Sequence, residues 1–173
     1  MSKTDNTTAL PDEVKNFILE AKPYYSGFEL AHDTYNAISC ASDGKIYYVL
    51  SSESIEKGGQ FYVYDPIIDQ TKIIGDLTEI CGEKELKAIP QGKSHVRFYE
   101  RKGKLYFSTH VGYYELIDGM DRLPENPPLG YKKYPGGHFL SYDLSSGEIK
   151  DLAIVPEGEE CHDADLPLLR ERQ

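Results

Sequence analysis

Three histidines in the second half of the chain are the residues best suited to carry chemistry. His95, His110 and His138 bring imidazoles, which bind divalent metals and exchange protons near neutral pH. Their spacing does not match a compact ligand motif such as HExxH. Two interpretations therefore stay open. The three form a metal-binding or acid–base site, or they are strand-end histidines that hydrogen-bond to backbone.

A segment rich in tyrosine and proline, residues 111–135, is the second candidate. It contains Tyr113, Tyr114, Tyr131 and Tyr134 together with four prolines. Proline stiffens a connection, and aromatic faces stack on sugars or other flat ligands. We expect these four tyrosines to form a ligand-binding flap. The alternative is a loop that only packs on neighbouring structure.

An internal repeat must position both candidates. Residues 43–50 (DGKIYYVL) match 102–109 (KGKLYFST), and residues 58–65 (GGQFYVYD) match 136–143 (GGHFLSYD). The first pair is offset by 59 residues and the second by 78, so the second copy carries about 19 extra residues between its halves. The Gly-Gly pairs are interpreted as turn glycines. The extra residues correspond to the tyrosine-rich segment.

Each copy is predicted to form four short antiparallel strands. Apolar and polar residues alternate, and Gly-, Asp- and Ser-containing turns separate the segments. DLSSGE, in the second copy, is a strong hairpin signal. The predicted strands a, b, c and d span 36–42, 45–51, 59–65 and 71–77 in the first copy, and 94–100, 104–110, 137–143 and 148–154 in the second.

Four antiparallel strands per repeat resemble one blade of a β-propeller. The pattern over about residues 35–155 is similar to the Kelch, YVTN and quinoprotein-like propeller families. The chain lacks tryptophan and the WD dipeptide, so it does not resemble WD40 propellers. Two hairpins of an ordinary β-sandwich are the alternative architecture.

The resemblance implies where a site would lie. In propellers, strand a lines the central axis, and the d–a and b–c connections emerge on one face that carries the ligand site. His95, His110 and His138 would then share one end of the second blade. Oligogalacturonate-lyase-like propellers hold a divalent cation with histidines, so the resemblance implies a cation such as Mn²⁺, Zn²⁺ or Ca²⁺ on these three residues.

The fold class we predict is all-β, with about two propeller-type blades preceded by one short helix over 11–21. Propellers commonly close with four to eight blades, so the chain resembles a truncated member. Exposed apolar faces and open strand edges predict self-association or a need for the missing blades. The predicted divisions are a disordered N-terminus 1–10, a helix and lead-in 11–34, a first repeat 35–92, a second repeat 93–160 and a tail 161–173.

Composition narrows the class of protein. The chain has 173 residues, a net charge of −10 and a pI near 4.9, which disfavours binding to the nucleic-acid backbone. No apolar run is long enough to span a membrane. The first twenty residues lack the apolar core of a signal peptide, so we expect a cytoplasmic protein. Three cysteines are expected to be free thiols, or one disulfide and one free thiol.

The function predicted from the sequence is a ligand-binding propeller module for a carbohydrate or another small polar solute. A metal-dependent, polysaccharide-lyase-like or related sugar enzyme that uses the histidine cluster is the first alternative. A protein–protein interaction scaffold is the second. Whether the chain is an enzyme stays open at this point.

Overall fold

A computed structural model of the protein describes residues 21–155, which form two four-stranded antiparallel sheets and one small hairpin. The predicted N-terminal disorder, the tail 161–173 and all but the last residue of the predicted helix lie outside the described residues. Helix is confined here to α1 (Leu77–Ile80) and a 3₁₀ turn at Lys84–Leu86. The strands are β1 Ile38–Cys40, β2 Ile46–Leu50, β3 Gln60–Asp65, β4 Gln70–Asp76, β5 Tyr99–Arg101, β6 Lys104–Ser108, β7 Glu115–Ile117, β8 Met120–Arg122, β9 His138–Asp143 and β10 Ile149–Ile154.

The two large sheets are meanders with the same strand order, β1-β2-β3-β4 and β5-β6-β9-β10. The prediction of two four-stranded antiparallel sheets is confirmed. Strands b, c and d of both copies lie within two residues of their predicted bounds.

The repeat extends to the pairing register. Ile46 pairs with Tyr64, and the residues 59 and 78 positions later, Leu105 and Tyr142, pair in the same way. Both sheets also carry a β-bulge at the same place in the ladder between their third and fourth strands. Because a bulge changes the twist of a sheet and redirects side chains, the two sheets share local geometry as well as sequence.

An ion pair recurs with the repeat. Lys45 lies 3.3 Å from Asp65, and Lys104 lies 3.2 Å from Asp143. Each pair joins the start of the second strand to the end of the third. The shared Lys and Asp of the two motifs therefore connect the same two strand ends in each sheet.

The two sheets pack head to tail, which means that one face of the first sheet meets the opposite face of the second. Tyr47 and Phe61 face the core from the first sheet, and the ring of Phe107 from the second lies 5.0 Å from that of Phe61. Tyr106, which corresponds to Tyr47, alternates with Phe107 and so lies on the opposite face of β6. Equivalent faces therefore do not meet across the core. The buried core consists of Ala37, Ala41, Tyr47, Val49, Phe61, Leu77, Val96, Phe98, Leu105, Phe107 and Leu140.

The lead-in segment, residues 22–31, covers much of the outer face of the first sheet. The ring of Tyr24 lies 5.1 Å from that of Tyr64. Phe28 is buried, and Tyr62, which points outward from β3, is only 3% exposed. The lead-in segment therefore covers the part of this face around Tyr62, while Ile38 and Ile73 on the same face remain about half exposed.

Strand a of the second copy differs from the prediction of 94–100, since β5 contains only Tyr99–Arg101. Burial still alternates over 94–98, which is the pattern that favoured a strand. The backbone amide of Phe98, however, donates to Ser39 Oγ of the first sheet at 3.2 Å. Residues 94–98 therefore bury alternate side chains as a strand would, but their backbone does not pair with a neighbouring strand.

The tyrosine-rich segment contains a hairpin, β7–β8, that the strand assignment did not include. Asp118 and Gly119 form its turn with φ of 53° and 76°. Two successive positive φ values are characteristic of a tight hairpin turn, and Asp-Gly is a preferred sequence for it. Asp118-Gly119 is thus the local sequence signal for this hairpin.

Among residues 21–155, no helix combines the length and the hydrophobicity needed to cross a bilayer. Cys40 and Cys81 are free thiols, and Cys161 lies outside the described residues.

Candidate functional site

Three connections meet at one end of the two sheets. The Ser52 amide, after β2, donates to the carbonyl of Gly92, before β5, at 2.8 Å. Lys93 and His110 exchange backbone hydrogen bonds of 2.9 and 2.8 Å, so the connection after β6 joins them. We call this junction of Ser52, Gly92 and Gly112 the seam.

Glycine makes the seam possible. A Cβ on Gly112 would lie 2.0 Å from the Ser52 carbonyl oxygen and 2.7 Å from the Gly92 Cα. Gly59 is similar, because its Cβ would lie 2.5 Å from the Gly92 oxygen. Neither Gly58 nor Gly59 has a positive φ. The interpretation of this pair as turn glycines is therefore wrong, since they permit close approach of backbones.

Lys93, at the seam, is the centre of what we call the Lys93 cluster. Its side chain is only 3% exposed. Its Nζ lies 3.2 Å from Tyr35 Oη and 3.2 Å from Glu53 Oε1. The same Nζ lies 4.9 Å from the ring centroid of Tyr35 and 5.0 Å from that of Tyr114, within range of a cation–π interaction.

The ammonium of Lys93 stays charged. Burial by itself would lower its pKa, but the hydrogen bonds to Tyr35 and Glu53 outweigh burial, and the pKa is raised. A charged ammonium attracts electron-rich oxygens and is not a nucleophile. The chemistry available to Lys93 is therefore binding and electrostatic stabilisation.

A stack of three rings extends the cluster. The Tyr35 ring lies 4.4 Å from that of His95, which lies 4.1 Å from that of His110 at an interplanar angle of 18°. Tyr35 is half exposed and has φ of 43°. A bulky residue with positive φ is uncommon and concentrates at functional sites. The backbone of Tyr35 thus lies in the left-handed region, while its ring lies beside the buried lysine.

A second group of polar side chains surrounds Gln91, which directly precedes the seam residue Gly92 in the chain. We call it the Gln91 network. Gln91 Nε2 donates to Glu83 Oε2 at 2.9 Å and to the carbonyl of Gly136 at 2.8 Å. Its Oε1 accepts from the hydroxyls of Thr109 and Tyr134, both at 2.7 Å. Both donors and both acceptor positions of this fully buried amide are used.

His138 joins the network through a pair of carboxylates. Its Nε2 lies 2.9 Å from Glu83 Oε1, and its Nδ1 lies 2.7 Å from Asp151 Oδ2. Burial would lower the pKa of His138, but the hydrogen bonds to Glu83 and Asp151 outweigh it and the pKa is raised. The imidazolium can donate to both carboxylates at once, whereas the neutral ring can donate to only one.

The predicted histidines thus have different surroundings. His95 and His110 stack on each other in the Lys93 cluster, while His138 lies between Glu83 and Asp151. Within residues 21–155, no three His, Cys, Asp or Glu side chains are arranged to hold a metal ion. A Mn²⁺, Zn²⁺ or Ca²⁺ site on these histidines stays a prediction.

The four tyrosines predicted to bind ligand also lie in different surroundings. Tyr114 joins the Lys93 cluster, and its hydroxyl lies 3.4 Å from His110 Nδ1. Tyr134 is 1% exposed and belongs to the Gln91 network. Tyr113 donates to Glu115 at 3.2 Å, and Tyr131 is partly exposed. Ligand binding by these tyrosines stays a prediction.

Sequence reasoning missed Tyr35, Glu53, Glu83 and Gln91. No local motif marks them, because their partners are distant in the chain: Glu83 and His138 are separated by 55 residues.

No protein-family model, no curated protein and no solved structure matches this chain.

Proposed function

We propose that the chain is a propeller-type module that binds a small polar solute, with a carbohydrate as the favoured class, at the Lys93 cluster. The observation that carries the proposal is a buried, charged lysine that shares its cluster with the half-exposed ring of Tyr35. A cation beside an aromatic ring is suited to a ligand that has both hydroxyl groups and an apolar face.

The propeller part of the proposal is supported by how the sheets repeat. They share register and bulge position, and they pack through non-equivalent faces. Head-to-tail packing of identical repeats generates a ring when the rotation closes. A two-fold sandwich would instead bring equivalent faces together.

The seam supports a binding role because it fixes the ligand-facing groups in advance. Lys93 and Tyr114 follow backbones that touch at Gly92 and Gly112, which leaves them little room to move. Groups that are already ordered lose less entropy when a ligand arrives. A small site can then reach useful affinity with few contacts.

Binding can be tested with Tyr35→Asn. Asparagine tolerates a positive φ better than tyrosine does, so this variant removes the ring without adding backbone strain. Calorimetry with neutral and acidic monosaccharides is expected to show binding by the wild type and loss of it in Tyr35→Asn.

Lys93→Met is the second variant, and it removes the charge at similar length. Its matched control is Lys72→Met, on the exposed side of β4. If both Lys93→Met and Tyr35→Asn bound the sugars with wild-type affinity, the Lys93 cluster would not be the site. If no sugar bound the wild type, the carbohydrate class would be wrong.

The second candidate function, a metal-dependent sugar enzyme, is motivated by the closeness of His95 and His110, whose ring centroids lie 4.1 Å apart; one of the stacked rings would have to turn for both to bind one cation. Two adjacent imidazoles are a partial ligand set for a divalent cation. Calorimetry with Mn²⁺, Zn²⁺ and Ca²⁺ tests this candidate. His95→Ala is expected to abolish binding, and unchanged affinity would remove His95 from the ligand set.

A further inference from the structure

A cleft separate from the Lys93 cluster opens between the lead-in segment and the outer face of the first sheet. Its volume is about 580 Å³, which is in the range of small-molecule sites. The lining combines aromatic rings with a carboxylate and a serine hydroxyl. The lining includes Tyr24, Tyr25, Ser26, Glu29 and Tyr48.

Two of the rings are held in place by their neighbours. Tyr48 stacks on Tyr62 with centroids 5.4 Å apart and an interplanar angle of 12°. The hydroxyl of Tyr24 donates to Asp69 and lies 3.1 Å from that of Tyr64. A ring fixed in this way offers a defined face and loses little rotamer freedom on binding.

The third ring is presented to solvent. Tyr25 is 81% exposed, and Tyr24 beside it is 46% exposed. The C–H face of a pyranose ring packs on such aromatic surfaces, while tyrosine hydroxyls meet the hydroxyl groups at its edge. Exposed rings grouped around one cleft are therefore chemically matched to a sugar.

The charge of the lining narrows the class of ligand further. None of the described residues that line the cleft is Lys, Arg or His, and Glu29 supplies a carboxylate. Lys22, on the same segment, is paired with Asp69. Phosphate or carboxylate groups would find no cation here, whereas Glu29 can accept hydrogen bonds from sugar hydroxyls.

We infer that this cleft is a second binding site, and that it takes a neutral oligosaccharide. This inference goes beyond the function proposed for the Lys93 cluster and does not depend on it. The two sites use different residues and differ in charge. A variant in one is therefore expected to leave the other unchanged.

Titration of the full chain with cellotriose, maltotriose and mannotriose, followed by NMR, tests the site. At least one trisaccharide is expected to shift tyrosine resonances at millimolar concentration. Tyr25→Ala is expected to weaken its binding by roughly tenfold or more, because a stacking face is lost. Since Tyr25 is largely exposed, its replacement should leave the fold intact.

Tyr99→Ala is the matched control, since Tyr99 is an exposed tyrosine on β5 and outside the cleft. Tyr99→Ala and Tyr35→Asn should both keep wild-type affinity for the trisaccharide. Absence of binding by all three sugars, or wild-type affinity in Tyr25→Ala, would overturn the inference. Loss of binding in Tyr35→Asn with Tyr25→Ala unaffected would assign the sugar to the Lys93 cluster instead.

Discussion

Replacing Gln91 by leucine is expected to destabilise the protein strongly. Leucine has a similar size, so the change leaves little cavity and mainly removes the amide. Four buried groups then each lose one hydrogen bond: Glu83 Oε2, the Gly136 carbonyl and the hydroxyls of Thr109 and Tyr134. The test therefore separates hydrogen bonding from packing.

The magnitude follows from those four groups. An unsatisfied buried polar group costs about 1–3 kcal/mol. Bonds that survive the substitution reduce a simple sum, because Glu83 keeps its bond to the His138 ring and the Thr109 hydroxyl still accepts from the His138 amide. We expect Gln91→Leu to lower the free energy of unfolding by about 4 kcal/mol, which is large against a typical total of about 5–15 kcal/mol.

Urea unfolding followed by far-ultraviolet circular dichroism measures the change, with the slope of the transition checked for constancy. Gln70→Leu is the matched control, because Gln70 is exposed on β4, and it should change stability by less than about 0.5 kcal/mol. A loss in Gln91→Leu below about 1.5 kcal/mol would refute the reasoning, because no more than one unsatisfied group could then account for it.

Three further predictions concern the seam, the histidine and the assembly. Gly112→Ala is expected to cost about 3 kcal/mol or more in chemical unfolding, because its Cβ would meet the backbone of Gly92 and force the seam apart; a loss within 0.5 kcal/mol, roughly that of a surface substitution, would contradict the close approach. The contribution of His138 to stability is expected to be complete below about pH 6.5, its ordinary pKa, and to be lost as the pH rises through its higher pKa in the folded state, because the neutral ring cannot donate to both Glu83 and Asp151. Unfolding measured from pH 5 to 9 should show this loss in the wild type but not in His138→Gln, and identical pH profiles would remove His138 as its source. Light scattering is expected to show a mass above 19.6 kDa, since open sheet edges favour association, whereas a monodisperse monomer with a sharp thermal transition would contradict self-association.

The sheets could be predicted because their signals are local. Alternation of apolar residues and the repeated Gly-Lys and Tyr-Asp motifs gave strands b, c and d of both copies. Strand a of the second copy was wrong because burial alternates at 94–98 while the Phe98 amide bonds to Ser39 instead of to a strand neighbour. Periodicity reports which side chains are buried, and it does not report where backbone amides bond.

The site could be predicted only in part. His95, His110 and Tyr114 were chosen for their chemistry, and His110 does contact both of the others in the Lys93 cluster. Tyr35 was not among the candidates, since 58 residues separate it from its partner Lys93. Contacts over such distances are set by how the sheets pack, and a single sequence carries no direct record of that.

The seam has a consequence for how the protein moves. Where backbones touch without intervening side chains, no side-chain rotation can open a gap between them. The Ser52 amide bonds to Gly92 across the seam, from the connection after β2 to the connection before β5, so hydrogen–deuterium exchange at Ser52 should require these two connections to separate and not merely a loop tip to fluctuate. The tips of the connections around the seam, such as Asp118–Gly119, can exchange rapidly on their own. The protein would thus combine a seam whose amides exchange slowly with surrounding connections whose tips exchange quickly. Ligand access to the Lys93 cluster would be set by the motion of these tips alone.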